Sequence, residues 1–518
     1  MYKMISRRGK SADFILPAPV GGLNKRDPII SMNQTDAMEM DNYMPLQNSV
    51  QLREGYEKYA LIGGFEKTKK VETLVSYHTA QTSRMIAVFG GKAYRVTKEN
   101  AIRYENVAFA KSRCQTVQYQ NRLYLMNGVD APKVYFVDEN DAEHFENWAF
   151  EGENLPENQI ISAAVSHEFL WFVEKNSTRA WVSTVAGNIA GTLKAFDVAQ
   201  VLKWGGCLQA VFNWTVDGGQ GIDDYTCLLS SEGEVLIYKG YNPNDADNWT
   251  LVGSYKLGKP VGYQCTMAYQ GDVVIICEDG YVPLSKALSA NNAGTSTIAF
   301  SDKIKGLVSE RIGAYKNLEG WQSLIFGKKG YAIFNVPVAN SFEQHVININ
   351  TGAWCKWTNI RAFCWCLYDG ELYFGSDNSV FKFGGTYSDN GMAIEGKVMQ
   401  AYSDLGTNVL KKIPLLKPKI KSSKNFKLKI WTNMDYEDED TDYYVNIGEK
   451  ETLTARWNEA KWNEALWQSG KTRRMQGQWV ANSATGFKAS VVFKTSTSAN
   501  LIEWFETGLR VETGTGIL

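Results

Sequence analysis

One short unit of β-structure, written seven times between Val71 and about Gly385, limits what this chain can fold into. Each copy opens with an alternating strand. The openings are Val71-Glu-Thr-Leu-Val75, Cys114-Gln-Thr-Val-Gln-Tyr119, Ile161-Ser-Ala-Ala-Val165, Cys207-Leu-Gln-Ala-Val-Phe212, Gln264-Cys-Thr-Met-Ala-Tyr269, Trp321-Gln-Ser-Leu-Ile-Phe326 and Phe363-Cys-Trp-Cys-Leu367. Successive side chains of a strand point to opposite faces, so such stretches read as strands. A hairpin follows each opening, its arms rich in Val, Ile, Leu, Tyr, Phe and Trp. It is plainest at residues 371–383 and at 169–173 with 179–182. The openings recur every ~40–60 residues, the repeat length at which each unit is one blade of a propeller. The fold expected is all-β: a six- or seven-bladed β-propeller with an N-terminal extended arm and a C-terminal β-sandwich domain. The expected boundaries are 1–56 for the arm and a closing strand, 57–390 for the propeller and 391–518 for the terminal domain. Val50-Gln-Leu-Arg53 alternates and is expected to supply the outer strand that closes the last blade.

Aromatic residues make up 13% of the chain and apolar residues 44%, enough for a large core and suited to strands. Basic and acidic residues number 55 and 56, so no global attraction to nucleic acid or to a membrane surface is expected. Eight cysteines lie mostly in apolar runs, without a C-x-x-C pair. Cys364 and Cys366 share a strand face, but no second pair completes a metal site, so buried thiols and a reducing compartment during folding are expected. The basic start (Lys3, Arg7, Arg8, Lys10) has no apolar run behind it and does not read as a signal peptide. No run of ~18 apolar residues predicts a transmembrane helix. Residues 1–16 read either as a frayed end or as an arm lying on a neighbouring subunit.

Residues 17–56 carry a distinctive string: Pro17-Ala-Pro-Val-Gly-Gly-Leu-Asn-Lys-Arg-Asp-Pro28, then Met40-Asp-Asn-Tyr-Met-Pro45, then Val50-Gln-Leu-Arg-Glu-Gly-Tyr56. Gly21-Gly22 and the prolines break regular structure, and glycine lets another backbone come close. The string resembles the opening of the tail hub, or nozzle, proteins of short-tailed bacteriophages, also described as packaged-DNA stabilisation or tail tubular proteins. The likeness is close over 17–56 and continues loosely through the repeats to the Trp-rich end of the chain. It implies a ring, usually of six copies, beneath the portal and its adaptor ring. Such a ring extends the DNA channel, retains the packaged genome and conducts it during ejection. It further implies contact with tail fibre or spike proteins, transient contact with double-stranded DNA, no membrane segment of its own, and residence in the virion tail after synthesis in the host bacterial cytoplasm. Pro19, Gly21, Gly22, Leu23, Arg26, Asp27 and Pro28 are the expected subunit or adaptor contacts.

Several stretches leave more than one reading open. Asp217-Gly-Gly-Gln-Gly-Ile-Asp-Asp224 is a mobile turn or a Ca²⁺ loop, though it lacks EF-hand spacing. Residues 301–315 have helical spacing with Ile304, Leu307, Val308 and Ile312 on one face, and either meet a partner ring or cover a strand edge. Phe426-Lys-Leu-Lys-Ile-Trp431 alternates, with Lys427 and Lys429 on its wet face or forming a phosphate-binding stripe. The run 435–442 is acidic. It is a solvated loop tip, a metal site, or a ring of charge that keeps DNA sliding, in which case Glu437, Asp438, Glu439 and Asp440 line the channel. Trp457, Trp462 and Trp467 are core anchors or an interface hot spot.

Motifs for chemistry are scarce. The four histidines are scattered, and neither G-x-S-x-G nor H-E-x-x-H occurs. Paired carboxylates of a glycoside-cleaving propeller were considered, but 56 acidic residues give no discrimination. The sequence therefore predicts a structural protein with no catalytic residues, cofactor or metal. A lectin-like or scaffold propeller without catalysis is the alternative.

Overall fold

The computed structural model describes residues 10–63, 69–217, 222–245, 247–293, 299–424, 426–438, 440–441, 443–447 and 474–513. The chain is all-β, with 56% strand and 5% helix, and it divides into two compact units. Residues 1–9, most of the loop 217–224, Glu439 and Trp457, Trp462 and Trp467, for which the sequence raised expectations, lie outside the described residues.

One unit takes residues 58–344 and 359–382. Each of the seven openings is a strand at one edge of a sheet: Val71–His78, Gln115–Tyr119, Ile160–Ser166, Leu208–Asp217, Thr266–Tyr269, Gln322–Phe326 and Cys364–Tyr368; six of these sheets have three to five strands, and Gln322–Phe326 edges a ten-stranded one. The order within a sheet follows the sequence, as in Val71–His78, Ser83–Phe89, Lys92–Thr97 and Asn100–Ala108. The second strands are buried along almost their whole length, as in Phe169–Glu174 and Asp272–Cys277. Covered on both faces, they read as continuous apolar runs rather than alternating ones.

The core of this unit is a series of layers, each between consecutive sheets. Tyr77, Ile86 and Val88 pack with Leu123, Leu125 and Tyr135. Tyr124 and Met126 pack with Leu170 and Phe172, and Trp171 and Val173 with Leu228, Leu236 and Trp249. Val71, Met85 and Phe89 of the first sheet pack with Cys364, Cys366 and Tyr373 of the last. The leading strand Cys364–Tyr368 also lies directly against Val71–His78.

Helix Lys305–Tyr315 buries Leu307, Val308 and Ile312, with Ile304 also buried. That face packs on Gly280–Pro283 and Tyr331–Val338 of this same unit, so the apolar stripe covers strands of its own chain.

The other unit takes residues 1–57, 345–358 and 383–518. Two antiparallel-rich sheets build it. In one, Ile502–Thr513 pairs with Lys411–Ser422 on one side and with Lys10–Pro17 and Val50–Leu52 on the other. The second runs Ala353–Trp357, Gly22–Leu23, Asp36–Asp41, Ile394–Gln400, Ala489–Thr497, Phe426–Met434 and Val445–Ile447. Phe493 of one sheet stacks on Trp504 of the other at 4.5 Å, and Tyr43 meets Phe493 edge-on at 5.8 Å.

Two expectations are corrected here. Residues 10–16 neither fray nor reach away: Lys10–Pro17 pairs residue for residue with 506–513. Val50–Leu52 does not close the last sheet of the repeats. A tight turn, with Leu46 N–H donating to Ser49 O at 2.8 Å, folds it back on Tyr43–Pro45. The strand that joins Ser379–Phe383 is the next one, Tyr56–Leu61.

Candidate functional site

The distinctive opening string folds into two hydrogen-bond nodes. At the first, Asn24 Nδ2 donates to Asp27 Oδ2 and to Asp36 Oδ2, both at 2.8 Å. Asn24 Oδ1 accepts the backbone N–H groups of Arg26 and Asp27 at 3.0 Å. Arg26 Nε in turn pairs with Asp27 Oδ1 at 2.7 Å. Just before it, Gly22 adopts φ +81°, and a Cβ there would stand 2.6 Å from the Trp354 carbonyl oxygen. Only glycine allows both the left-handed backbone and that approach. Of the expected contact residues, Pro19, Gly22 and Leu23 are buried within the chain and Gly21 and Asp27 are half-buried. Arg26 and Pro28 stand on the surface beside the exposed Ile29 and Ile30.

The second node was not foreseen from the sequence. Arg53 and Asp389 form a buried pair, with side chains 1% and 6% exposed. Arg53 Nη1 and Nη2 reach the two carboxylate oxygens at 2.8 and 2.6 Å. Nε donates to Asn42 Oδ1 at 2.8 Å, and the remaining N–H groups go to Glu54 O and Thr358 O at 3.0 Å. Burial and then the Asp389 charge push the nearby Tyr56 hydroxyl up to about 12. The sequence signal was the arginine in a short alternating strand, but its partner lies 336 positions away.

The acidic run meets a row of lysines in the same unit. Direct cross-strand partners place Lys356, Asp41, Lys397, Lys494 and Lys429 in one line across the second sheet. Adjacent like charges in a sheet repel, and carboxylates sit among them. Asp41 pairs with Lys356 at 3.2 Å, Glu39 with Lys397 at 2.6 Å and Asp440 with Lys494 at 3.7 Å. Burial opposes the charge on Lys397, but Glu39, with Asp438 and Asp41, holds it above the usual lysine value. Asp438 accepts from Asn433 Nδ2 at 2.9 Å, and Glu437 N–H closes a turn on Met434 O at 2.9 Å. Lys429 is not on a wet face: it is buried, with Nζ 4.5 Å from the centre of the Tyr444 ring. The alternation put it beside Lys427 correctly, but a distant segment covers that end of the face.

In the repeat-bearing unit, side chains from non-adjacent repeats meet. Glu319, before the sixth leading strand, pairs with Lys111 at 2.5 Å and Arg113 at 3.6 Å, both before the second. Arg113 Nη2 also donates to Phe363 O at 3.1 Å, before the seventh. On the hairpins that follow the leading strands, Ser83 Oγ lies 3.0 Å from His78 Nδ1 and 2.9 Å from Asp369 Oδ1. Serine stands between imidazole and carboxylate here. Its proton goes to Asp369, so the imidazole has none to remove, unlike a nucleophile-base-orienter chain.

The eight cysteines are free thiols, seven of them buried. Burial pushes Cys114, Cys265, Cys277, Cys364 and Cys366 up to about 12. Among the described residues, no group of three or more His, Cys, Asp or Glu could hold a metal ion, and no helix is long and apolar enough to cross a membrane.

No family model matches the chain, and no curated protein matches it. Among solved structures, it is similar to an exo-β-1,3-galactanase from Phanerochaete chrysosporium, solved with galactose. The TM-score is 0.25 and the identity 9%, over 76% of this chain and 95% of the other. The sequence expectation that this chain is not an enzyme is corrected on this finding and withdrawn. A likeness of this degree carries no activity over to the chain.

Proposed function

We propose that this chain is the tail hub of a short-tailed bacteriophage, a copy of a sixfold ring that sits below the adaptor, retains packaged DNA and conducts it during ejection. The observation that carries the reading is the opening string. Its polar residues Asn24, Asp27, Asn42 and Arg53 are the ones engaged in the two hydrogen-bond nodes, which gives the string a physical reason to exist as a string. We read the seven successive sheets as the blades of a propeller. Apolar layers between consecutive sheets, and one between the last and the first, support that reading.

The contacts of Glu319 with Lys111 and Arg113 across repeats support a genome path between copies rather than through one copy's sheets. The exposed Arg26, Pro28, Ile29 and Ile30 offer a surface for the neighbouring copy or the adaptor. Glu437, Asp438 and Asp440 face the path and repel the phosphate backbone, as far as the lysine row leaves their charge uncompensated. Tail fibre or spike proteins attach outside.

The test is negative-stain imaging and native mass of the full chain mixed with its adaptor ring. A closed sixfold annulus is expected. A chain that stays monomeric with the adaptor present overturns the proposal.

A further inference from the structure

The hairpin after the third leading strand turns on His167-Glu168, with φ of +51° and +64°. A two-residue turn with both central residues left-handed normally takes Asn-Gly, because a side chain is strained there. The corresponding turns after the fifth and seventh leading strands carry glycine second, as Gln270-Gly271 and Asp369-Gly370, and the one after the second carries asparagine second, as Gln120-Asn121, so His167-Glu168 alone of these four has neither glycine nor asparagine there. At His167-Glu168 the strain is held from two sides. Glu168 O accepts the Tyr119 hydroxyl at 2.7 Å and the Gly187 N–H at 3.0 Å. A strained turn braced in this way points to side chains kept for what they do.

Those side chains surround an exposed aromatic ring. Tyr241 is 57% exposed. Its ring meets His167 edge-on at 5.9 Å and Phe169 at 6.1 Å, and its hydroxyl donates to Glu168 Oε2 at 3.4 Å. The loop that carries Tyr241 is anchored by Asn244 Nδ2, which donates to Ser183 O at 3.1 Å. Gln120, on the neighbouring hairpin, reaches the Tyr119 hydroxyl at 3.4 Å. The result is an exposed aromatic ring beside a carboxylate and an imidazole. A ring of this kind has an apolar body and a polar tip, and a few placed polar groups set the orientation of a ligand.

We infer that this platform binds a neutral saccharide. The C–H face of a pyranose would lie on Tyr241, and its hydroxyls would donate to the Glu168 carboxylate and exchange hydrogen bonds with His167. The charged group bonded to the ring is a carboxylate, which attracts hydroxyl donors and repels phosphate, so a sugar fits where a nucleotide does not. This inference does not depend on the hub reading.

The experiment uses the full chain on an array of neutral hexose and N-acetylhexosamine oligosaccharides, followed by titration of the best hit. Tyr241→Ala and the double change His167→Asn with Glu168→Gly are compared with wild type. Both should weaken binding at least tenfold. The double change relieves the turn, so its Tm should equal or exceed that of wild type, which separates lost binding from lost folding. No binding on the array overturns the inference, as does binding that survives either change.

Discussion

Removing one member of the Arg53–Asp389 pair tests whether the opening string holds its unit together. Asp389→Asn keeps the shape but leaves the guanidinium charge with side chains 1% and 6% exposed in the parent pair. Breaking a buried pair from one side costs roughly 3–5 kcal/mol, because the remaining charge stays in a low-dielectric site. Arg53→Met leaves the buried Asp389 carboxylate without its partner, at a similar cost, and also strips Glu54 O and Thr358 O of their donors, each a further loss of about 1–3 kcal/mol if the carbonyl finds no other donor. Asn42 Oδ1 keeps the Thr358 N–H at 2.8 Å, so that oxygen is not orphaned. At 2–4 °C per kcal/mol for a unit of this size, Asp389→Asn should lower the transition of the unit by roughly 6–20 °C. Urea unfolding followed by tryptophan fluorescence reads it, because Trp354, Trp357 and Trp504 are fully buried in this unit. The double variant should be less damaging than the sum of the single ones, by 1 kcal/mol or more. If Asp389→Asn stays within 1 kcal/mol of wild type, or the two changes simply add, the pair does not carry the stability assigned to it.

Four further outcomes are expected. Gly22→Ala should destabilise the same unit by several kcal/mol, roughly 1–3 of them from the left-handed backbone alone, while an unchanged melting curve would show that the Trp354 approach yields easily. Deleting residues 1–16 should lower Tm, since it strips the paired edge from 507–513; unchanged stability would mean that the strand adds nothing. A hydrogen bond from Arg510, aided by its charge, holds the Asp13 carboxyl below the usual aspartate value. A carboxylate lowered in the folded state adds stability above its unfolded pKa and loses it as pH falls through the folded one. Amide-exchange protection of Lys10–Pro17 should therefore drop below about pH 4, and Asp13→Asn should abolish that step. Finally, a thiol reagent should meet at most one fast-reacting cysteine in the native chain, Cys207, and eight after unfolding, given the burial of the other seven. Rapid reaction of two or more would contradict that packing.

Local pattern was a good guide wherever neighbours in sequence decide the outcome. The seven openings, the apolar second strands and the helix with Leu307, Val308 and Ile312 on one face all depend on spacing within a few residues. Reading failed where a remote segment decides. Lys429 alternates with Leu428 as a wet residue should, yet Tyr444 covers it. Val50–Leu52 has the pattern of a closing strand, but a turn three residues earlier commits it elsewhere. The arm reads from sequence as a frayed end or as lying on a neighbouring subunit, because the strand that residues 10–17 pair with is nearly the whole chain length away.

Composition and periodicity by themselves determined that this is a strand-built chain with a repeated sheet-forming unit; the expectation that the glycine-proline opening runs irregularly fails, since Gly22–Leu23, Asp36–Asp41 and Tyr43–Pro45 are strands. Tertiary structure alone decided which strands share a sheet, that Arg53 and Asp389 neutralise each other, and that His167 and Glu168 meet Tyr241. The reason is physical. Alternation is set by the pleat of a single strand, whereas pairing, charge compensation and a platform's shape depend on groups that only folding brings within a few ångströms.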